Sequence, residues 1–232
     1  MIRVLKKGLK YRVLILSLVV GLTLTACSEP TIESLAEKGD ASAQFSMGMM
    51  YLNDEGVSQD YHKAFEWFQK AANQGYVPAQ NNLAIMYTKG QGASQDDAKS
   101  FEWTQKAANL GDAEAQFNLG INYATGVGID QNYLKAVEWL QKAADLGVAE
   151  AQYSLGIFYL DGIGVSQDYI KAVEWFRKAA NQDYALAQNN LGTMYGDGKG
   201  VQQDSIKAKK WFKKACDNGA PSGCTNYQSL NK

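Results

Sequence analysis

Residues 149–184 read AEAQYSLGIFYLDGIGVSQDYIKAVEWFRKAANQDY, and this stretch recurs along the chain at a step of 36 residues. The pair Ala151-Gln152 has counterparts at Ala43-Gln44, Ala79-Gln80, Ala115-Gln116 and Ala187-Gln188. Tyr159 belongs to a row with Tyr51, Tyr87, Tyr123 and Tyr195. Trp175 belongs to a row with Trp67, Trp103, Trp139 and Trp211, which together are all the tryptophans of the chain. A period of this size signals a stack of small units that bury their apolar faces only against each other. Leu35-Ala36-Glu37-Lys38-Gly39 matches the second half of a unit, and Gly223 to Lys232 matches a first half. Five full repeats with a half-repeat at each end are therefore expected.

Each unit reads as two helices. In the first unit one runs from about Ala41 to Leu52, with Met47, Gly48 and Tyr51 on one stripe. The other runs from about Tyr61 to Asn73, with Ala64, Trp67, Phe68, Ala71 and Ala72 on another. Asp60, Asp96, Asn132, Asp168 and Asp204 precede the second helices, where a side-chain oxygen accepts an orphan backbone N–H. Gly39, Gly75, Gly111, Gly147 and Gly219 follow second helices and suit the left-handed residue that closes a helix. Asp183 holds that place in the fourth repeat. Between the two helices stands Gly-x-Gly, as at Gly162-Ile163-Gly164; the first repeat keeps only Gly56, with Asp54 at the other position. A phosphate loop follows a strand and opens a helix of a βαβ unit. Here no strand is expected and the motif recurs in every unit, so it reads as a structural loop.

The N-terminus is of another kind. Residues 3–12 carry Arg3, Lys6, Lys7, Lys10 and Arg12, and residues 13–24, VLILSLVVGLTL, are an apolar run of 12. That is short for a membrane span of about 20 residues and suits the core of an export signal. The run ends in Leu24-Thr25-Ala26-Cys27, which resembles the bacterial lipoprotein signal. The resemblance implies cleavage of residues 1–26, lipid on Cys27, and a short tether over 27–30 ahead of a solenoid over 31–232. Ser28, where an Asp would signal inner-membrane retention, favours the outer membrane facing the periplasm. Five of the 23 basic residues lie in that leader, leaving 18 against 24 acidic groups, about −6. Such a body lacks the basic surface that nucleic-acid binding needs. A single histidine, His62, excludes most histidine triads and multi-histidine metal sites. No cofactor or metal is expected.

The repeat resembles the Sel1-like repeat family, relatives of the tetratricopeptide repeat. The fourth unit carries the motif as Ala149, Ala151-Gln152, Leu155-Gly156, Tyr159, Gly162, Gly164-Val165, Asp168, Lys171-Ala172, Trp175 and Lys178-Ala179-Ala180. The likeness spans about Ser34 to Tyr227. It implies an all-α fold, a right-handed α-solenoid of antiparallel helix pairs, with Gly48, Gly120, Gly156 and Gly192 allowing close helix approach. The segment from Ala215 to Cys224 resembles the cysteine-rich branch of that family, in which such pairs are disulfides. This implies a Cys216–Cys224 bond pinning the last half-repeat, consistent with an exported chain in an oxidising compartment.

Some cysteine-rich relatives have been classed as β-lactamases, so hydrolysis of a β-lactam or cell-wall peptide is the rival reading. Serine β-lactamases need Ser-x-x-Lys with two further elements. The one Ser-x-x-Lys here is Ser229 to Lys232, at the terminus, and no Ser-Asp-Asn exists. Ser205-Ile206-Lys207 falls where the lysine belongs to the repeat. No catalytic residue is assigned.

Binding should use positions that vary while the scaffold repeats. After each Ala-Gln pair come Phe45, Asn81, Phe117, Tyr153 and Asn189; four residues on come Met49, Ile85, Ile121, Ile157 and Thr193. The spacing puts each pair on one helix face. Aromatics interspersed with Asn suit a groove that grips side chains and hydrogen-bonds an extended backbone. The second row serves equally as groove or as inter-repeat core. The expectation is a monomeric, membrane-anchored scaffold for a protein or peptide partner, with an immunity protein against a secreted effector as the alternative.

Overall fold

The computed structural model describes residues 31–230. The export signal, Cys27 and the tether lie outside the described residues. Among the described residues, twelve helices and no strand are found. A short α1 (Ile32–Glu37) precedes five antiparallel pairs: α2 (Ala41–Asn53) with α3 (Tyr61–Asn73), α4 (Val77–Lys89) with α5 (Asp97–Asn109), and α6 (Ala113–Thr125) with α7 (Tyr133–Asp145). Then come α8 (Ala149–Asp161) with α9 (Tyr169–Ala180), α10 (Ala185–Asp197) with α11 (Ser205–Asp217), and a closing α12 (Pro221–Ser229). This is the expected α-solenoid.

Local chemistry starts and stops each second helix where the sequence marks it. Asp60, Asp96, Asn132, Asp168 and Asp204 all accept backbone N–H groups at the start of the second helix, as Asp96 Oδ1 does from Lys99 N at 3.0 Å. At the other end Gly75 N donates to Ala72 O and Tyr76 N to Ala71 O, a Schellman closure around the left-handed glycine. Asp183 takes the same conformation at φ 60°. The backbone N–H of each helix-two cap also reaches back to the row of tyrosines, as Asp168 N does to Tyr159 O at 2.8 Å. The inter-helix loop is thereby closed the same way in every repeat.

The second glycine of Gly-x-Gly has a packing reason. A Cβ on Gly92, Gly128, Gly164 or Gly200 would collide with backbone at Tyr61, Asp97, Tyr133 or Tyr169, the start of helix two in the preceding repeat. The loop is thus an inter-repeat contact. Gly56 meets no such backbone. Asp54 adopts φ 61° where later repeats have glycine, and its carboxylate accepts Gln59 N at 3.0 Å.

The core lies between the helices of each pair and between neighbouring pairs. Phe68, Leu140 and Phe176 are fully buried, each worth about 1.5–3 kcal/mol of transfer free energy. They fit because a glycine faces them: a Cβ on Gly48, Gly120, Gly156 or Gly192 would strike Phe68, Leu140, Phe176 or Phe212. Each helix-two tryptophan is covered by a lysine three residues on, from Lys178 over Trp175 at 3.6 Å to Lys214 over Trp211 at 4.7 Å.

The Ala-Gln pair acts as a rivet between repeats. The Gln44, Gln80, Gln116, Gln152 and Gln188 side chains each donate Nε2–H to the carbonyl eight residues earlier, at 3.0–3.3 Å. At the sixth station the rivet is covalent. Cys216 and Cys224 are also eight residues apart and form the disulfide. It ties α11 to α12.

Candidate partner-binding face

The first helix of each repeat carries the two candidate rows. Phe45 is half-buried, with its ring 5.6 Å from Phe68 and 5.3 Å from Tyr76. Tyr153 packs likewise on Phe176 and Tyr184, and burial raises its phenol above the ordinary range. Phe117 packs partly buried against the central core. The aromatic members of the first row are therefore anchored in core packing, Phe45 and Tyr153 on rings of their own repeat, and expose only part of their rings. The asparagines act differently. Asn81 donates to Asp112 Oδ1 at 3.2 Å, and Asn189 accepts from Asn226 at 2.9 Å, so each bridges to a residue 31 or 37 positions on.

In the second row Met49, Ile121 and Ile157 are half-buried against core clusters, whereas Ile85 is 49% exposed. The residues that come together in one place are Asn81, Ile85 and Ile121. They line an open cleft of about 540 Å³ between α4 and α6. Its other walls are residues that the two rows do not contain: Asn82 and Thr88 on α4, Ser100 and Thr104 on α5, Asn118 and Asn122 on α6. Lys89 and Glu114 also border it. Ser100 and Thr104 carried a readable signal, since they interrupt an otherwise apolar pattern in helix two. Asn118 and Asn122 lie one residue past each row and carried no such signal.

Candidate chemistry elsewhere does not converge. Ser205 opens α11 and Ser229 ends α12, both exposed, and His62 is exposed on the first turn of α3. Among the described residues no three His, Cys, Asp or Glu side chains stand together as a metal site. None of their helices is long and apolar enough to cross a membrane.

The family model described as Sel1 repeat matches this chain at residues 41–76, 77–112, 113–148, 149–184 and 185–219. Among solved structures, the chain is similar to a protective antigen of uropathogenic Escherichia coli strains that displays an SLR fold. The two are 35% identical with a TM-score of 0.83, over 86% of this chain and 43% of that one. The chain thus spans less than half the length of that relative. It is also similar to a Sel1 repeat protein from Oxalobacter formigenes, at 31% identity and TM-score 0.77, over 87% of this chain and 79% of that one. No curated protein matched the sequence at a significant level.

Proposed function

Because this chain belongs to the Sel1 repeat family, a scaffold for protein–protein interaction, we propose that it works without catalysis, as a docking platform for a protein or peptide in the bacterial envelope. The observation that carries the reading is the cleft between α4 and α6. It lies on the helix-one face, where the repeats vary while their helix-two caps stay constant. A scaffold of stacked units can alter such positions without altering its backbone.

The platform works from a lipid anchor. The basic leader, the 12-residue apolar run and Ala26-Cys27 support acylation of Cys27, and Ser28 supports the outer membrane facing the periplasm. More than one acyl chain makes such anchoring stable. The protein acts as a monomer.

Site-specific photo-crosslinking in cells tests the platform. A crosslinker replacing Ile85 should give one dominant protein adduct, and one replacing Leu134, 74% exposed on helix two, should not. Adducts from Leu134 alone would refute the helix-one face. For the anchor, Cys27→Ser should move the protein from the membrane to the soluble fraction; an unchanged distribution would refute lipidation.

A further inference from the structure

The second repeat departs from the core pattern of the other four, and the departure opens the cleft. At the helix-two position of Phe68, Leu140, Phe176 and Phe212 it has Thr104. Ser100 stands where the others have alanine. Ala84 stands where they have the glycine that receives the large side chain. Ala84, Ser100 and Thr104 all line the cleft.

The hydroxyls on that wall are engaged with each other and with backbone. Thr104 Oγ1 donates to Ser100 O at 2.9 Å. Thr88 Oγ1 bonds Ala84 O at 3.1 Å and lies 2.8 Å from Ser100 Oγ. What remains for an occupant is carbon: the threonine methyls, Ala84, Ile85 and Ile121. A wall of this kind favours an apolar group.

The rim is polar and has free hydrogen-bonding capacity. The side-chain amides of Asn118 and Asn122 have no partner among the described residues. Four residues apart on α6, they are separated by about 6 Å along the axis. That nearly matches the roughly 6.7 Å over which an extended chain repeats its backbone groups on one side. Glu114 lies at the N-terminal end of the cleft and Lys89 at the other, neither in an ion pair among the described residues. The axial distance from Glu114 to Thr125, the counterpart of Lys89, is about 16 Å, the length of roughly five extended residues.

From this geometry we infer that the cleft is a specificity pocket for an extended peptide. It takes one large apolar side chain, with a basic residue two positions away toward Glu114 and an acidic one two positions away toward Lys89. The inference rests on the scaffold reading and adds the chemistry of the occupant.

An NMR titration of the protein with Ac-Ala-Lys-Ala-Phe-Ala-Glu-Ala-NH2 tests it. The methyl signals of Thr88 and Thr104 and the side-chain amides of Asn118 and Asn122 should shift together. Alanine in place of the central Phe should weaken binding at least tenfold, and exchanging the Lys and Glu should weaken it several-fold. The triple variant Ala84→Gly, Ser100→Ala, Thr104→Phe rebuilds the closed pairing of the other repeats and should lose binding at least tenfold. Asn118→Ala with Asn122→Ala changes only the rim and should weaken binding several-fold, with a melting temperature like that of the parent. Shifts confined to Tyr153 and Asn189, undiminished in the triple variant, would overturn the pocket and leave the scaffold reading standing. Absence of shifts with every peptide at millimolar concentration would also overturn it. The Ile85 crosslinking then decides separately whether the scaffold reading survives.

Discussion

In the fourth repeat Phe176 is fully buried against Gly156, Ala172 lies beneath it, and the Gln152 side chain both donates to Ala144 O and accepts from Gln182 at 2.9 Å. In the second repeat Thr104, Ala84 and Ser100 take those core places. Gln80 still donates to Ala72 O, but its Oε1 is buried without a partner, because Leu110 stands where the fourth repeat has Gln182. The third repeat shares this second lapse, at Gln116 with Leu146. The first and fifth are complete, through Gln74 to Gln44 and Asn218 to Gln188. One backbone thus accommodates a closed or an open core, and a saturated or a half-satisfied rivet. The repeat tolerates this because its caps and loops are independent of what fills the space between helices. The second repeat gives up packing where it opens a cleft.

The largest effect should come from opening a closed repeat. Phe176→Ala should lower stability by about 3–5 kcal/mol through lost transfer energy and a cavity. Thr104→Ala, in the repeat already open, should cost about 1 kcal/mol, mainly its hydrogen bond. Urea denaturation of both variants checks this, and equal losses would erase the distinction between the repeats.

Next is the covalent rivet. Converting both Cys216 and Cys224 to alanine should cost about 2–3 kcal/mol on the loop-entropy model. Hydrogen exchange should quicken in α12 and stay unchanged in α4 to α7, since units in a solenoid feel mainly their neighbours. Uniform quickening would mean that the terminal rivet holds the whole stack.

The amide rivets should respond in opposite directions. Gln182→Leu leaves the Gln152 acceptor buried and unpaired and should cost about 1–3 kcal/mol. Leu110→Gln supplies the missing donor to Gln80 and should gain about 1 kcal/mol. Thermal melts of the two variants decide it; a Leu110→Gln variant no more stable than the parent would mean that Gln80 is satisfied in another way.

The smallest effect concerns acid. The Lys99 backbone N–H, and then its side chain, hold the Asp96 carboxyl below its ordinary 3.8. Asp204 is lowered by Lys207 in the same way, and Asp40 by the Ser42 hydroxyl and Ala43 N–H. A carboxyl lowered by folding stabilises fully above its unfolded value and loses that contribution as the pH falls through the folded one. The melting temperature should therefore drop below about pH 4. Asp96→Asn, which imitates the uncharged cap Asn132 of the third repeat, should make that drop shallower and leave the melt at neutral pH nearly unchanged.

The repeat period, the helix pairs, the caps Asp60 to Asp204 and the left-handed closures were all legible in the sequence. Each is decided within a few residues of chain, by hydrogen bonds or by glycine's freedom at positive φ. The candidate face was legible only in part. Asn81, Ile85 and Ile121 were in the predicted rows and do line the cleft, whereas Phe45, Phe117 and Tyr153 are largely committed to packing. A side chain four residues from another shares its helix face, but how far it is covered depends on the neighbouring helix. Ser100 and Thr104 are small departures in helix two. That they open a cleft depends on Ala84, 16 and 20 residues earlier.

What the sequence determined by itself was therefore the architecture: a 36-residue unit repeated five times. Tertiary structure alone decided where that architecture is left incomplete. Gln80 is an ordinary member of its row until Leu110 is seen to have removed its donor, and Thr104 is an ordinary threonine until the space of the missing phenylalanine is seen beside it. The physical reason is range. Helices begin and end through contacts a few residues apart, whereas vacancies and unpaired groups are properties of surfaces that meet only after the chain has stacked.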